Sequence, residues 1–312
     1  MSKTVIEQPI LVIVGPTAIG KTALSLEVSE RHNCEIISVD SMQVYKHMDI
    51  GTAKVSTEER DLAVHHLIDI VEPNESYDAA RFAEDSLACI NEINNKNKIP
   101  LLTGGTGLYL KALFEGIFPE APSDENIRSK LKKRLEEEGC DKLHQELSIC
   151  DCVSAEKIHP NDTHRLLRAL EIYLLTGKPW SDAIREHATD GNKYLFKNVL
   201  QIGLTCERSI LYQRINNRCD IMLNSGLKEE VEGLLAMGFS SDLKSMQSIG
   251  YRHMNNYLSG EWTKEEMVRL LARDTRRYAK RQYTWFGKMA NLQWQEVTEQ
   301  TKILNTIKEW LS

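Results

Sequence analysis

The chain has 312 residues, of which 41% are hydrophobic and 27% are charged, as is typical of a soluble globular protein with one large and one smaller domain. It has no run of about 18 or more apolar residues, and an acidic residue lies early in its N-terminal segment, so we expect neither a membrane span nor a signal peptide. The net charge of −6 weakly disfavours a nucleic-acid partner, although such an average hides any local basic surface.

The first predicted elements are a strand over 9–14 and a helix over 20–32, and the loop between them carries a phosphate-binding pattern. The residues from Gly15 to Thr22 read G-P-T-A-I-G-K-T, which matches G-x-x-x-x-G-K-[ST]. Backbone N–H groups at such a helix start form a nest for phosphate oxygens, Lys21 adds a positive charge, and the Thr22 hydroxyl suits Mg²⁺. The pattern predicts a phosphate or pyrophosphate site without specifying ATP. A glycine turn without a ligand is the alternative.

Two further strands are predicted to bring polar residues to the same edge of a parallel sheet. A strand over 35–40 ends at Asp40, and a strand over 99–103 is followed by Thr106 at a helix N-cap position. Because the carboxyl ends of parallel strands line the ligand crevice, we expect both side chains near the phosphate loop. The alternative for Asp40 is a structural cap on the next turn.

The middle of the chain is predicted to be a helical insertion. Residues 124–190 are strongly charged and show no strand pattern, whereas 198–204 return to strand character. We therefore predict an α/β fold, with a P-loop-type parallel sheet flanked by helices formed by 1–118 and 191–312, and an all-helical insertion domain over 119–190. Within the insertion, Arg165 and Arg168 are three residues apart and share a helix face.

The helix predicted over 209–224 carries Arg214 and Arg218 one turn apart. Two such arginines usually form a solvated charged face. Beside a pyrophosphate they would instead clamp its oxygens.

The last long helix, predicted over 263–285, is strongly basic on one side. Between 269 and 288, seven basic residues accompany the single acid Asp274, namely Arg269, Arg273, Arg276, Arg277, Lys280, Arg281 and Lys288. The aromatic residues Tyr283, Trp285 and Phe286 follow. Basic groups bind backbone phosphates and aromatic rings stack on unpaired bases, so the pattern favours nucleic-acid binding. A charged face above core aromatics is the alternative.

Seven blocks in order along almost the whole chain resemble the bacterial tRNA dimethylallyltransferases (tRNA isopentenyltransferases). They are G-P-T-A-x-G-K-T at 15–22, I-S-V-D-S at 37–41, M-D-I-G-T-A-K at 48–54, P-L-L-x-G-G-T at 100–106, H-P-N-D at 159–162 with R-L-x-R-A-L-E at 165–171, I-G-Y-R at 249–252 and K-R-Q-x-T-W at 280–285. The first block is shared with many kinases, but the third, fifth and last together are specific. Ile19 and His47 depart from the usual serine and glycine.

The resemblance implies transfer of a dimethylallyl group from dimethylallyl diphosphate to the exocyclic amine of the adenine 3′-adjacent to the anticodon in tRNA. It implies that Asp40 is the general base and that Thr17 and Arg218 assist at the diphosphate, with Mg²⁺ at Thr22. The implied diphosphate-binding residues are Gly15, Pro16, Thr17, Ala18, Ile19, Gly20, Lys21 and Thr22. The implied tRNA contacts are Asp40, Ser41, Met42, Gln43, Thr106, Arg128, His164, Arg165, Leu166, Leu167, Arg168, Gln247, Gly250, Arg252, Lys280, Arg281, Gln282 and Trp285.

Two other functions share parts of the pattern. A small-molecule or nucleotide kinase would use the same loop for ATP, but it leaves the basic helix and the large insertion without a role. A nucleotide-switched RNA-binding module would leave Asp40 without a task. The seven scattered cysteines contain no C-x-x-C pair and predict free thiols, so we expect a cytoplasmic protein without a zinc site. Separately, we expect the protein to act as a monomer.

Overall fold

The structure is a computed structural model that describes residues 3–116, 124–190 and 193–312. It divides into two compact units, one formed by Lys3–Phe114 and Tyr194–Ser312 and the other by Glu115–Lys193. The predicted domain boundaries at 118–119 and 190–191 fall in or beside 117–123 and 191–192, which lie outside the described residues.

The first unit is built on a parallel sheet. The strands are β1 (Thr4–Ile6), β2 (Ile10–Val14), β3 (Cys34–Val39), β4 (His65–His66), β5 (Ile99–Gly104), β6 (Tyr194–Phe196), β7 (Val199–Thr205) and β8 (Leu292–Glu296). Strands β1 and β6 form a separate parallel pair. The main sheet has the order β4-β3-β5-β2-β7-β8, and every pairing is parallel. The predicted α/β fold with a parallel sheet is thus confirmed.

Helices flank this sheet, and they bury its apolar strands. The helices of the first unit before the insertion are α1 (Lys21–His32), α2 (Thr57–Leu62), α3 (Ala79–Asn95) and α4 (Gly107–Glu115). Those of the second unit are α5 (Glu125–Glu138), α6 (Cys140–Cys150), α7 (Cys152–Lys157), α8 (Thr163–Thr176) and α9 (Trp180–Asp190). After the insertion, the first unit continues with α10 (Arg208–Asn224), α11 (Leu227–Ala236), α12 (Tyr251–Leu258), α13 (Lys264–Phe286) and α14 (Gln300–Leu311). Every residue of β2 and β3 is buried, as expected for strands covered on both faces.

The register of the sheet sets the position of the site. Val14 pairs with Gly104 and Gly203, and Gly104 also pairs with Val39, so the strands β2, β3 and β5 end at the same level. The phosphate loop, Asp40 and Thr106 follow these three ends. Gly104 cannot be replaced by a larger residue without displacing β3, because a Cβ there would lie 2.1 Å from the Val39 carbonyl oxygen.

The second unit has its own hydrophobic core. Leu131 of α5, Leu143 and Leu147 of α6, and Leu166 and Leu170 of α8 are all buried together. Helix α8 begins at an Asp162 cap, whose carboxylate accepts the Arg165 N–H at 3.2 Å. Among the described residues of this unit, the regular elements are all helices, α5 to α9.

Several elements were not predicted. The sequence patterns gave no prediction for the strand β8 or for the helices α11, α12 and α14. Strand β8 has only one buried residue in its sequence L-Q-W-Q-E, so it shows no apolar run. Helix α12 is short and polar, and it is stabilised by burial of Tyr251, His253 and Met254.

Candidate active site

The lysine of the phosphate loop, Lys21, bonds to the backbone of the same loop. The Lys21 Nζ donates to the carbonyl oxygens of Gly15 and Pro16, each at 2.9 Å. Gly20, the residue before α1, has a φ of 110°, a conformation that favours glycine. From α10, Arg214 Nη1 donates to the Ile19 carbonyl at 2.9 Å and braces the loop from outside.

The charges around this loop favour an anion. Burial, followed by the repulsion of nearby Arg218, lowers the pKa of Lys21 to about 7, while Asp40 acts in the opposite direction. Burial also lowers the pKa of Arg218. Two cations held in a desolvated position are each destabilised in the free protein, and a bound diphosphate would relieve that cost.

Asp40, at the end of β3, both caps the following turn and lines the cavity. Its Oδ1 accepts the N–H groups of Met42 at 2.8 Å and Gln43 at 3.3 Å, which caps the following turn. The same half-buried residue also lines the cavity beside Lys21. The Thr106 hydroxyl accepts the neighbouring Ser41 N–H at 3.1 Å and thereby joins the ends of β3 and β5.

Helix α13 reaches the loop through Gln282, which is only 5% exposed. Its Oε1 accepts the Thr17 N–H at 2.9 Å, and its Nε2 donates to the Gly105 carbonyl at 2.9 Å. This differs from the predicted contact of Gln282 with tRNA, because both ends of the amide are engaged inside the protein.

Tyr278, one turn before Gln282 on α13, was not singled out by sequence. Burial, followed by the charge of the Asp40 carboxylate, raises the pKa of its hydroxyl well above the ordinary value, and its side chain lines the cavity. The sequence feature that could have identified Tyr278 is its i, i+4 spacing from Gln282, which places both residues on one face of the helix.

These groups surround one cavity of about 770 Å³ in the first unit. From the predicted set its wall includes Thr17, Ala18, Gly20, Lys21, Thr22, Asp40, Ser41, Met42, Gln43, Arg218, Gln247, Gly250, Arg281 and Gln282. The structure therefore brings the phosphate loop, the proposed base and the arginine of α10 into one space.

The two departures from the family pattern have clear structural positions. Ile19 is fully buried in the hydrophobic core, so its side chain takes no place in the cavity wall. His47 has a φ of 63°, the left-handed conformation in which glycine is favoured, and its ring lies 3.5 Å from the Glu72 carboxylate.

The outward side of α13 is basic, but fewer of its aromatic residues are accessible than predicted. Lys280 and Arg281 are exposed, and Trp285 is 40% exposed. Phe286, however, is fully buried, because it lies one turn after Gln282 on the inward face of the helix. Its predicted stacking on a base is therefore wrong.

Two other residues of this region are paired within the protein. The Tyr283 ring packs on Trp294 with centroids 5.7 Å apart, which makes it a structural neighbour of β8. Arg252 Nη2 lies 3.1 Å from the Asp274 carboxylate.

In the helical unit, a buried carboxylate organises two of the predicted arginines. Arg128 and Arg168 lie 2.9 and 2.7 Å from the Glu171 oxygens. Burial raises the pKa of Glu171, but the hydrogen bonds from Arg168, the Asp124 backbone and Arg128 outweigh it and lower that pKa overall. Both arginines therefore have a structural partner in this unit.

The rest of the predicted tRNA block lies on both sides of α8. His164 and Arg165 are exposed, and Arg165 lies 2.5 Å from Asp162. Leu167 is half-buried. Leu166 is fully buried in the core of the unit, so its side chain does not reach the surface, and the predicted contact of this residue with tRNA stays a prediction.

The residues at the loop fit a magnesium ion held together with a diphosphate. Thr22 offers a hydroxyl at the start of α1, and Asp40 offers a carboxylate across the same cavity. Mg²⁺ prefers such oxygen ligands and is commonly bound through few protein groups plus phosphate oxygens. Within 3–116, 124–190 and 193–312, no group of three or more His, Cys, Asp or Glu residues is arranged as a metal site.

Over the same described ranges, no helix combines the length and apolar character needed to cross a membrane. The seven cysteines are free thiols, as predicted.

Comparison with known proteins identifies the family. The IPP transferase family model matches residues 43–289, and the isopentenyl transferase model matches 8–74. A tRNA dimethylallyltransferase of Desulfotalea psychrophila is 54% identical over 98% of this chain and 96% of its own length.

Solved structures agree with this assignment. A tRNA isopentenylpyrophosphate transferase of Bacillus halodurans has 42% identity and a TM-score of 0.72, covering 98% of this chain and 97% of its own. A eukaryotic dimethylallyltransferase acting on tRNA has 31% identity and a TM-score of 0.76, covering 93% of this chain and 74% of its own. The chain therefore belongs to the tRNA dimethylallyltransferase family.

Proposed function

We propose that this protein transfers the dimethylallyl group of dimethylallyl diphosphate to the N6 amine of the adenine 3′-adjacent to the anticodon in tRNA, with release of diphosphate. One observation carries the proposal beyond the names of its relatives. The loop residues Lys21 and Thr22 line a single cavity together with Asp40 and Arg218, so an anion site and a carboxylate base can act on one reacting centre.

The main task of the phosphate loop would be to stabilise the diphosphate as it leaves. An adenine amine is a poor nucleophile because its lone pair is delocalised into the ring, so the allylic C–O bond must break easily. Charge accumulating on the diphosphate would be met by the loop N–H groups, Lys21 and Arg218. One preorganised donor of this kind is typically worth about 3–4 kcal/mol. When bound, Mg²⁺ at Thr22 would supply further charge neutralisation.

Asp40 would accept the proton that leaves N6 as the new C–N bond forms. An ionised carboxylate suffices for this step because the alkylated amine is strongly acidic. The Met42 and Gln43 N–H groups hold the carboxylate in one orientation at the end of β3. The adenine must leave its stack to reach this residue, which costs roughly a few kcal/mol or less in a single-stranded loop.

The tRNA is proposed to bind through the exposed basic groups of α13, the start of α12, and the arginines of the helical unit. Lys280, Arg281 and Gln247 are exposed side chains suited to phosphate and base contacts. We further propose that the protein acts as a monomer in the cytoplasm.

A transfer assay separates this function from a kinase. The purified protein is incubated with tRNA and radiolabelled dimethylallyl diphosphate, and in parallel with γ-labelled ATP, and the tRNA is captured on filters. Label arriving from dimethylallyl diphosphate alone supports the proposal. Absence of label from dimethylallyl diphosphate, together with transfer of label from ATP to tRNA or, in the filtrate, to a small molecule, would overturn it. Transcripts with guanosine at the target position are the matched control and should remain unlabelled.

A further inference from the structure

A carboxylate outside the catalytic set fills a backbone nest next to the cavity. Glu230 of α11 accepts three consecutive N–H groups, with Oε2 at 2.8 Å from Asp49 N and 2.7 Å from Ile50 N, and Oε1 at 3.0 Å from Gly51 N. Its Oε1 also accepts the Tyr251 hydroxyl at 2.6 Å. Convergent N–H groups of this kind form an anion site, and here the anion is part of the protein itself.

The segment 49–54 that Glu230 holds forms part of the cavity wall. Gly51, Thr52 and Ala53 all line the cavity. The Thr52 carbonyl lies 3.4 Å from Arg218 Nη2, and the Ala53 carbonyl lies 3.4 Å from Gln43 Nε2. The backbone of this segment thus contacts both the arginine proposed to bind the diphosphate and a side chain that follows Asp40.

The far end of the segment is fixed by Lys54, whose side chain is 1% exposed. Its Nζ lies 2.6 Å from Asp49 Oδ1, 2.5 Å from Asp69 Oδ1 and 2.7 Å from the Tyr45 carbonyl. Lys54 thus ties the Asp49 side chain to Asp69 and Tyr45, whereas Glu230 holds the three backbone N–H groups of the 49–51 turn.

Steric contact reinforces the role of Glu230. A Cβ on Gly51 would lie 2.4 Å from the Tyr251 ring, so the backbone and the ring are in direct contact. Burial, followed by the Glu230 charge, raises the pKa of the Tyr251 hydroxyl, which therefore remains a donor to Glu230. The start of α12, the turn 49–51 and α11 are thereby joined at one carboxylate.

We propose that Glu230 is a positioning residue for donor binding: by holding the turn 49–51, it sets the place of the Thr52 carbonyl and, through it, of the Arg218 guanidinium. This inference rests on the proposed function. Glu230 is not among the residues that line the cavity, and its effect is exerted through the backbone of 49–53.

The test compares Glu230→Gln and Glu230→Ala with Glu232→Gln, a control on the same helix whose exposed carboxylate pairs with Lys228. Glutamine retains the size of the side chain but turns an N–H group towards backbone donors. For both Glu230 variants we expect the KM for dimethylallyl diphosphate to rise roughly tenfold to hundredfold, as for a misplaced binding group. All constants of the control should remain at the wild-type values.

A second readout does not depend on activity. Amide hydrogen exchange of the peptide covering 48–54 should be faster in both Glu230 variants and unchanged in the control. If Glu230→Ala does not fold, Glu230→Gln, with its thermal unfolding measured alongside, carries the test.

The outcomes separate the two proposals. A wild-type protein without transfer activity would overturn the proposed function. An active wild type, together with Glu230 variants that exchange normally or retain the wild-type donor KM, would overturn the positioning role alone. If Glu230 only stabilised the fold, its variants would have a lower melting temperature and a smaller active fraction but an unchanged donor KM. That result would also contradict the proposal.

Discussion

Gln282 accepts the backbone N–H of Thr17 at 2.9 Å across a separation of 265 residues. The same side chain donates to the Gly105 carbonyl at 2.9 Å. One buried amide therefore ties the basic helix α13 to the two loops that follow β2 and β5. Movement of α13 would be transmitted directly to the phosphate loop.

Replacing Gln282 with leucine should weaken both stability and donor binding. The change leaves the Thr17 N–H and the Gly105 carbonyl without this partner, at a cost of about 1–3 kcal/mol in the free energy of unfolding. Denaturant unfolding and calorimetric titration with dimethylallyl diphosphate measure the two effects. The control is Thr284→Val, since the Thr284 hydroxyl is exposed and donates to the Lys280 carbonyl of its own helix. Equal stability of Gln282→Leu and wild type would contradict the bridge.

Replacing Asp40 with asparagine should abolish most transfer while preserving tRNA affinity. Asparagine retains an Oδ1 that can accept the Met42 and Gln43 N–H groups, so the turn should persist, but the base is lost. A general base typically contributes about 10²–10⁴-fold, and we expect kcat to fall within that range. Single-turnover transfer and tRNA binding are measured beside Asp61→Asn, an exposed carboxylate of α2. A full-rate Asp40→Asn enzyme would exclude Asp40 as the base.

Binding of dimethylallyl diphosphate should take up protons at pH 8. The pKa of Lys21 is lowered to about 7 in the free protein. At pH 8 roughly nine in ten copies are therefore uncharged. A bound anion favours the charged form, so the pKa rises and a proton is taken up, and affinity weakens as the pH increases above 7.

Titration calorimetry in two buffers of different ionisation enthalpy measures this uptake. Lys21→Met is the matched control and should take up close to one proton fewer than the wild type. Identical proton numbers for the two proteins would show that Lys21 is already charged before the donor binds.

Removing Arg277 and Arg281 together should weaken tRNA binding and reduce its salt dependence. Both side chains are exposed on α13, and each phosphate contact adds about one unit to the slope of log K against log salt. We expect the double alanine variant to lose up to about two units of slope. A double variant of Arg31 and Lys302, exposed residues of α1 and α14, is the charge-matched control. An unchanged slope would indicate that this side of α13 does not face tRNA.

Much of the fold could be predicted because its central elements have strong local patterns. The buried strands β2, β3 and β5 are apolar runs, and α3 and α13 show helical periodicity over long stretches. The edge strand β8 and the short helix α12 could not be predicted, since most β8 residues are exposed and α12 is stabilised by residues distant in sequence. In both cases tertiary packing outweighs a weak local preference.

The site was predictable where one short motif or one topological rule applies. The phosphate loop follows from its spacing, and Asp40 follows from the rule that strand ends line the crevice. The inward roles of Gln282 and Glu230 could not be found in this way, because their partners are 265 and about 180 residues away. A helix such as α13 also presents charged residues to solvent and buried polar ones inward, and spacing alone does not assign each residue to a face.

The most direct test of the proposed function is the mass of a nucleoside. An unmodified tRNA transcript is incubated with the protein, Mg²⁺ and dimethylallyl diphosphate, then digested and analysed by mass spectrometry. We predict that one adenosine, the residue 3′-adjacent to the anticodon, gains a dimethylallyl group in place of one hydrogen, and that diphosphate is released in equal amount. A transcript whose adenosines all keep their original mass would contradict the proposal.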